Sequence, residues 1–309
     1  MDINDAPQLD GTNLALGLLA GVVTAMVFGV GGFLLAYNSQ GYMGSVLFLL
    51  VPIATGLATA LVARRRNVII ASLILGLLFC TAILLLTGFE GFVCVLMSAP
   101  LIAAGLALGG LFGWLVRVHV IDKSRSSKSL TLLMMLVIPM FLMGANRTEE
   151  SVGRRLRMQT VSDTLVVDSS PESAWNELKS MESITASKTF LMKIGLPVPV
   201  SCRTEGEGVG GKRTCYFEHG FIEERITEWD FPRSMKFDVV ASEVPGRPWL
   251  SFRDASYEIK RVDNHTLITR NTTIVSRLSP AWYWRPLEAI GVHTEHAYLF
   301  EGLKNKLNK

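Results

Sequence analysis

The residues of this chain that are equipped for chemistry are few, and they fall in its second half. Cys202 and Cys215 stand symmetrically about a glycine-rich stretch, centred between Gly208 and Val209. If the flanking strands pair in symmetric register, the two side chains face each other. They are then a disulfide in an oxidising compartment, or two buried thiols in a reducing one. Cys80 and Cys94 lie in apolar runs and read as small core residues. His293 and His296 are three apart with Glu295 between them, which is half of a metal motif. The His-Glu-x-x-His order is absent and no third ligand is evident, so a polar helix face is the better reading and no metal is expected. His219 and His265 stand in or beside strands. Facing a cavity, either would serve as acid or base; at a sheet edge it would hydrogen-bond. Gly206–Gly211 lacks the order of a phosphate-binding loop and no helix follows it, so its glycines serve a turn or a mobile tip at a cavity mouth. No catalytic group and no cofactor is expected.

Arg253 and Arg270 sit in two long strand-like stretches. Period-two alternation puts Trp249, Ser251, Arg253, Ala255, Tyr257 and Ile259 on one face of the first. In the second it puts His265, Leu267, Thr269, Asn271, Thr273 and Val275 on one face, and Thr266, Ile268, Arg270, Thr272 and Ile274 on the other. Such mixed faces suit an amphipathic ligand with one polar group. Either arginine would pair an acidic head, or else form a surface ion pair with Glu224 or Glu258. Trp282, Tyr283 and Trp284 precede the last helix and suit a plug under a sheet or a membrane interface.

The elements that must position these residues follow in order. Thr160–Asp168 is a Val/Thr-rich strand. Ser170 then caps a helix whose first position is Pro171 and whose inner face carries Ala174, Trp175 and Leu178. A second short helix is expected over Ser183–Ile194. Strands are expected at Val198–Thr204, Arg213–His219, Phe221–Trp229, Met235–Ala241, Trp249–Arg261 and His265–Leu278, with a loop at Pro245–Pro248 and a long helix from Trp282 to Leu307. Strands in unbroken succession cannot be parallel, which would require crossover helices. A curved antiparallel sheet around the last helix fits, with an apolar cavity left beneath it.

The first half is of a different kind. The chain is 49% hydrophobic and 18% charged, yet residues 1–145 hold only seven of its 30 Lys/Arg and five of its 27 Asp/Glu. That asymmetry excludes a single soluble domain, a disordered chain and a fibrous repeat, and a net charge of +3 is too small to argue for nucleic acid. Leu14–Tyr37, Tyr42–Ala63, Val68–Thr87 and Phe92–Val116 are each long enough to cross a bilayer and carry no charge. Leu130–Gly144 is shorter and holds Pro139, so four or five spans are expected. Arg64, Arg65 and Arg66 follow the second span, and Arg117, Lys123, Arg125 and Lys128 follow the fourth, so both loops read as cytoplasmic, while the short links Asn38–Gly41 and Gly88–Gly91, with Glu90, read as outside. With a fifth span, residues 146–309 lie on the non-cytoplasmic side, against which Arg147, Arg154, Arg155 and Arg157 argue. The spans carry no ionisable group of the kind that marks a transport pathway, so this half reads as an anchor or packed bundle. Gly105, Gly109 and Gly113, four apart, read as helix-packing positions. Residues 146–158 read as a basic juxtamembrane linker or helix.

Residues 161–307 resemble the SRPBCC superfamily, the START, Bet v 1 and polyketide cyclase-like proteins of helix-grip fold. The resemblance rests on Val166-Val-Asp-Ser-Ser-Pro171-Glu-Ser-Ala-Trp175, on Gly208-Val-Gly-Gly-Lys-Arg213 with Cys215-Tyr-Phe217 and Gly220, and on Glu224-Arg-Ile226-Thr-Glu-Trp229-Asp-Phe-Pro232. It covers nearly half the chain. It implies an α+β protein with an N-terminal bundle of four or five transmembrane helices (1–145), the linker (146–158) and a helix-grip domain (159–309). The function it implies is binding, transfer or sensing of a lipid or other hydrophobic small molecule, with membrane lipids as the other partner. Trp175, Phe217, Arg253, Tyr257, Arg270 and Trp284 are the residues expected to line the cavity. A cyclase- or hydratase-type enzyme, or an interaction module whose interior is filled by side chains, is the competing expectation.

Overall fold

A computed structural model describes residues 11–37, 43–63, 65–88, 91–123, 127–153, 156–244 and 249–307. The link Asn38–Gly41, Arg64, Glu90, Arg125, Arg154, Arg155 and the loop Pro245–Pro248, all singled out above, lie wholly or partly outside the described residues. The chain divides into two compact units, 1–154 and 155–309.

The first unit contains helices α1 (Gly11–Tyr37), α2 (Val51–Ala63), α3 (Arg66–Leu86), α4 (Phe92–Val116) and α5 (Ser127–Gly153). A π-helical turn, Val46–Leu50, leads into α2, and another, Arg117–Ile121, prolongs α4. Among the described residues, five helices are long and apolar enough to cross a membrane. The fifth is longer than its sequence suggested. It runs unbroken through Pro139, because one lost backbone hydrogen bond does not outweigh the Leu- and Met-rich turns around it. Its last turns take up residues 146–153, and β1 begins at Arg157, so the expected linker is mostly helix and strand.

α2 is the buried helix of this unit, and α4 packs closely against it. A Cβ on Gly109 would come within 1.9 Å of the Ile53 carbonyl oxygen, so only glycine permits that approach. The outward faces of the other helices are apolar, with Leu19, Leu78, Leu136 and Met140 exposed. Two charged groups act on helix ends. The Glu149 carboxylate accepts from the backbone N–H groups of Ser45 (2.6 Å) and Val46 (3.1 Å). Buried Arg117 donates to the Leu61 carbonyl near the C-terminus of α2.

The second unit is a curled antiparallel half-barrel of seven strands with a long C-terminal helix. Its elements are β1 (Arg157–Val167), α6 (Pro171–Lys179), α7 (Phe190–Lys193), β2 (Pro199–Glu205), β3 (Lys212–Phe217), β4 (Phe221–Asp230), β5 (Ser234–Ser242), β6 (Leu250–Val262), β7 (His265–Ser276) and α8 (Ala281–Leu307). The order across the sheet is β1-β7-β6-β5-β4-β3-β2. Ser170 caps α6 by accepting from the Ser173 N–H, as its place before Pro171 requires. The core joins the inner faces of the strands to Trp175 and Leu178 of α6 and to Leu299 and Leu303 of α8.

The expected helix over Ser183–Ile194 is reduced to the four residues of α7. Ser183, Thr185, Ser187 and Thr189 are poor helix formers, and the segment before α7 has backbone partners elsewhere. The Ile184 N–H donates to the Val200 carbonyl (2.8 Å), and the Cys202 N–H donates to that of Met181 (2.7 Å). The segment thus covers the edge strand β2, which would otherwise offer free N–H and C=O groups.

Candidate ligand-binding site

Alternation along β3 turns Arg213 and Cys215 inward, and along β4 it turns Ile222, Glu224 and Ile226 inward. Register then places Arg213 directly opposite Glu224. Their side chains pair at 2.7 Å, both buried, with the guanidinium 4.6 Å above the Phe237 ring. On the other side of the interior, Arg270 of β7 stands directly opposite Tyr257 of β6. Arg270 donates to the Tyr257 hydroxyl and, at 3.0 Å, to Glu295 of α8. The Arg213–Glu224 and Arg270–Glu295 pairs, with the apolar side chains of Phe217, Ile222, Val239 and Leu299, line one pocket.

The volume of this pocket is about 30 Å³, room for one or two water molecules and not for a lipid. The expected cavity is therefore largely filled, by the charged side chains themselves. Burial works against the Arg270 charge, but Glu295, Tyr257 and Glu224 outweigh it and hold its pKa above the usual value. Burial pushes the Glu295 carboxyl up, against the pull of Arg270. Nε and Nη2 of Arg213, Nε of Arg270 and Oε2 of Glu295 are buried without a hydrogen-bond partner among the described residues.

A second polar cluster ties α8 to the sheet. Asp163 of β1 accepts from Nδ1 of His293 (2.7 Å) and of His296 (2.7 Å), and His296 Nε2 meets the Thr272 hydroxyl at 2.7 Å. Burial, reinforced by the Arg270 charge, lowers the His296 pKa to about 3. The ring is therefore neutral, with its proton on Nδ1 facing Asp163 and Nε2 accepting from Thr272. His293 stays partly exposed, as a polar face would have it, whereas His296 is wholly buried. Further along, Glu288 of α8 binds Arg157 (2.7 Å) and Ser276.

The residues expected from sequence are divided by the fold. Phe217 and Arg270 line the pocket, and Tyr257 reaches it through Arg270. Cys202 and Cys215 are opposite each other on β2 and β3, form a disulfide and line the pocket. Trp175 is buried in the core, edge-on to Trp229 (5.0 Å) and Phe231 (5.5 Å), and is not among the lining residues. Trp284 is buried near the start of α8, edge-on to Tyr283 at 5.3 Å, and does not line the pocket either. Arg253 is a correction. The ladder between β6 and β7 slips between Phe252 and Asp254, so Phe252 stands opposite Ile274 and Asp254 opposite Thr273. Arg253 is the extra residue of this bulge and points outward, toward Met158 and Asp254. His219 is exposed, and His265 pairs Asp168 at the surface. The Gly206–Gly211 tip is tied to β4, with Gly210 N–H donating to Ile226 O and Ile226 N–H to Gly211 O, both at 2.9 Å.

Arg213, Glu224 and Glu295 are the residues that sequence reading missed as site residues. A signal existed. Charges at 213 and 224 interrupt alternating apolar positions, and Glu288, Glu295 and His296 fall on the α8 stripe marked by Trp284, Val292 and Leu299.

No family model matches the sequence, and no curated protein matches it. Solved structures do match about half of the chain. One is the Aha1 dimer from Colwellia psychrerythraea, 12% identical with a TM-score of 0.32, covering 47% of this chain and 96% of that one. Another is the Zhui aromatase/cyclase from Streptomyces sp. R1128, 14% identical with a TM-score of 0.35, covering 49% and 94%. A third is the protein Ms6760 from Mycobacterium smegmatis, 13% identical with a TM-score of 0.35, covering 50% and 96%.

Proposed function

We propose that the second unit binds a small hydrophobic or amphipathic molecule between its sheet and α8, and that the five apolar helices hold this unit at a membrane. The observation that carries the reading is the pocket itself. Apolar walls surround a floor of buried charges whose hydrogen-bonding capacity is not used up. Buried polar groups are normally satisfied, and those left over mark a place for a polar partner. Attachment to the helices would raise the local concentration of a membrane-borne ligand. At about 30 Å³ the space must open to admit anything larger than water, by local separation of α8 from β3 and β4. We place this unit on the non-cytoplasmic side. The Cys202–Cys215 disulfide supports that side, because such bonds persist in oxidising compartments.

The small volume favours a second reading, an interaction module whose interior is closed. Native mass spectrometry of the full chain released from detergent separates the two. A discrete co-purified hydrophobic species, or saturable uptake from a panel of such molecules, is the expected result. A clean apo mass with no uptake would overturn the binding reading in favour of the interaction module.

A further inference from the structure

Arg213 is 2% exposed and lines the pocket. Its Nη1 is taken by Glu224, and one face of its guanidinium lies over Phe237. The remaining edge, Nε and Nη2, is buried and has no hydrogen-bond partner among the described residues. Those two N–H groups run parallel in the plane of the guanidinium, at the spacing that the two oxygens of one carboxylate match. Across the pocket the Arg270 Nε is in the same condition. A charged donor left without a partner in a buried place bears its full desolvation penalty, so an acceptor brought to this edge gains more than a typical hydrogen bond.

We propose that the free edge of Arg213 is the head-group site of the pocket, and that its ligand is an apolar molecule ending in a single carboxylate. This deepens the binding reading above and rests on it. The two carboxylate oxygens would accept from Nε–H and Nη2–H, while the apolar body would lie against Phe217, Ile222, Val239 and Leu299 as the pocket opens. Arg213 and Arg270 share the pocket lining with Glu224, Asp254 and Glu295, whose carboxyl groups oppose each negative charge a ligand brings, so a monoanionic carboxylate is favoured over a dianionic phosphate. A neutral alcohol would satisfy one donor of the edge and leave the other orphaned.

The test uses the full chain in detergent and radiolabelled octanoate, with octanol and octyl phosphate as competitors. Arg213→Lys keeps a positive charge opposite Glu224 and loses the paired edge. The double variant Arg213→Gln/Glu224→Gln removes both charges together and avoids an unpaired buried carboxylate. Wild type should bind octanoate saturably, and each variant should bind it at least about tenfold more weakly. Octanol should compete poorly with octanoate on the wild type. If octanol competes as well as octanoate and Arg213→Lys changes nothing, the carboxylate assignment falls while apolar binding stands. If octyl phosphate competes more strongly than octanoate, the head group is a phosphate and the assignment falls in that direction. If no compound binds the wild type, both this assignment and the binding reading fall.

Discussion

Tyr257 and Arg270 stand directly opposite each other on β6 and β7, and the tyrosine hydroxyl accepts from the arginine whose other amino group holds Glu295. One cross-strand pair thereby anchors the long helix to the sheet through a largely buried charge. Arg270 also lies 5.3 Å from the Tyr257 ring, so the same two residues share a cation–π contact.

The first prediction follows from that anchor. Arg270→Met leaves the Glu295 carboxylate buried and unpaired, and should destabilise the fold by about 3–5 kcal/mol at neutral pH. Arg270→Met/Glu295→Leu should recover most of the loss. The pH dependence has a definite sign. Without Arg270 the Glu295 pKa rises further above its unfolded value of 4.5. The folded state then favours the protonated acid, and the deficit of the single variant should shrink as pH falls from that raised pKa toward about 4.5. Thermal melts of the three proteins from pH 4 to 7 check this; a deficit that is constant with pH would contradict it.

The second concerns His296, whose pKa is about 3 in the fold against 6.5 when free. The unfolded chain takes up a proton in that interval and the folded one does not. Stability conferred at this site is therefore fully present above about pH 6.5 and is lost as pH falls toward 3. The slope is at most about 1.4 kcal/mol per pH unit. His296→Gln should flatten the pH profile of the melting temperature over that window. Parallel profiles for variant and wild type would rule the assignment out.

Cysteine labelling supplies the third. Under non-reducing denaturing conditions only Cys80 and Cys94 should react with a maleimide, and all four cysteines should react after reduction. Cys202→Ser/Cys215→Ser should lose about 3 kcal/mol, since the bond closes a hairpin loop with a sequence separation of 13. Four reactive thiols before reduction would remove both the bond and the support it lends to the non-cytoplasmic side.

The fourth tests the helix packing of the first unit. Gly109→Ala would bring a Cβ to 1.9 Å from the Ile53 carbonyl oxygen, whereas a Cβ on Gly31 would meet nothing within 4 Å. Gly109→Ala should cost about 1–3 kcal/mol and lower the melting temperature in detergent, while Gly31→Ala should be neutral. Equal behaviour of the two variants would mean that α2 and α4 are not packed at this distance.

Much of this protein is legible in local pattern. Long charge-free runs mark helices suited to a bilayer, because burying backbone polar groups in hydrocarbon demands a helix. Ser170 before Pro171 marks the start of α6, and Cys202 and Cys215 stand opposite each other as a symmetric β2–β3 register would have them, since both features depend on neighbours in sequence. Tertiary structure alone decided the rest. Alternation counted along β6 puts Arg253 beside Tyr257, but one extra residue at the bulge reverses parity and sends Arg253 outside, and no local rule announces the bulge. Pro139 reads as a stop, yet the helix passes through it because the turns on both sides continue. Whether Glu224 faces water or the interior depends on its pairing with Arg213 of the neighbouring strand β3, and Glu295 and His296 depend on Arg270 and Asp163 arriving from strands distant in sequence. The size of the space beneath α8 is decided in the same way, because a charged side chain can occupy an interior only when the fold brings it a partner.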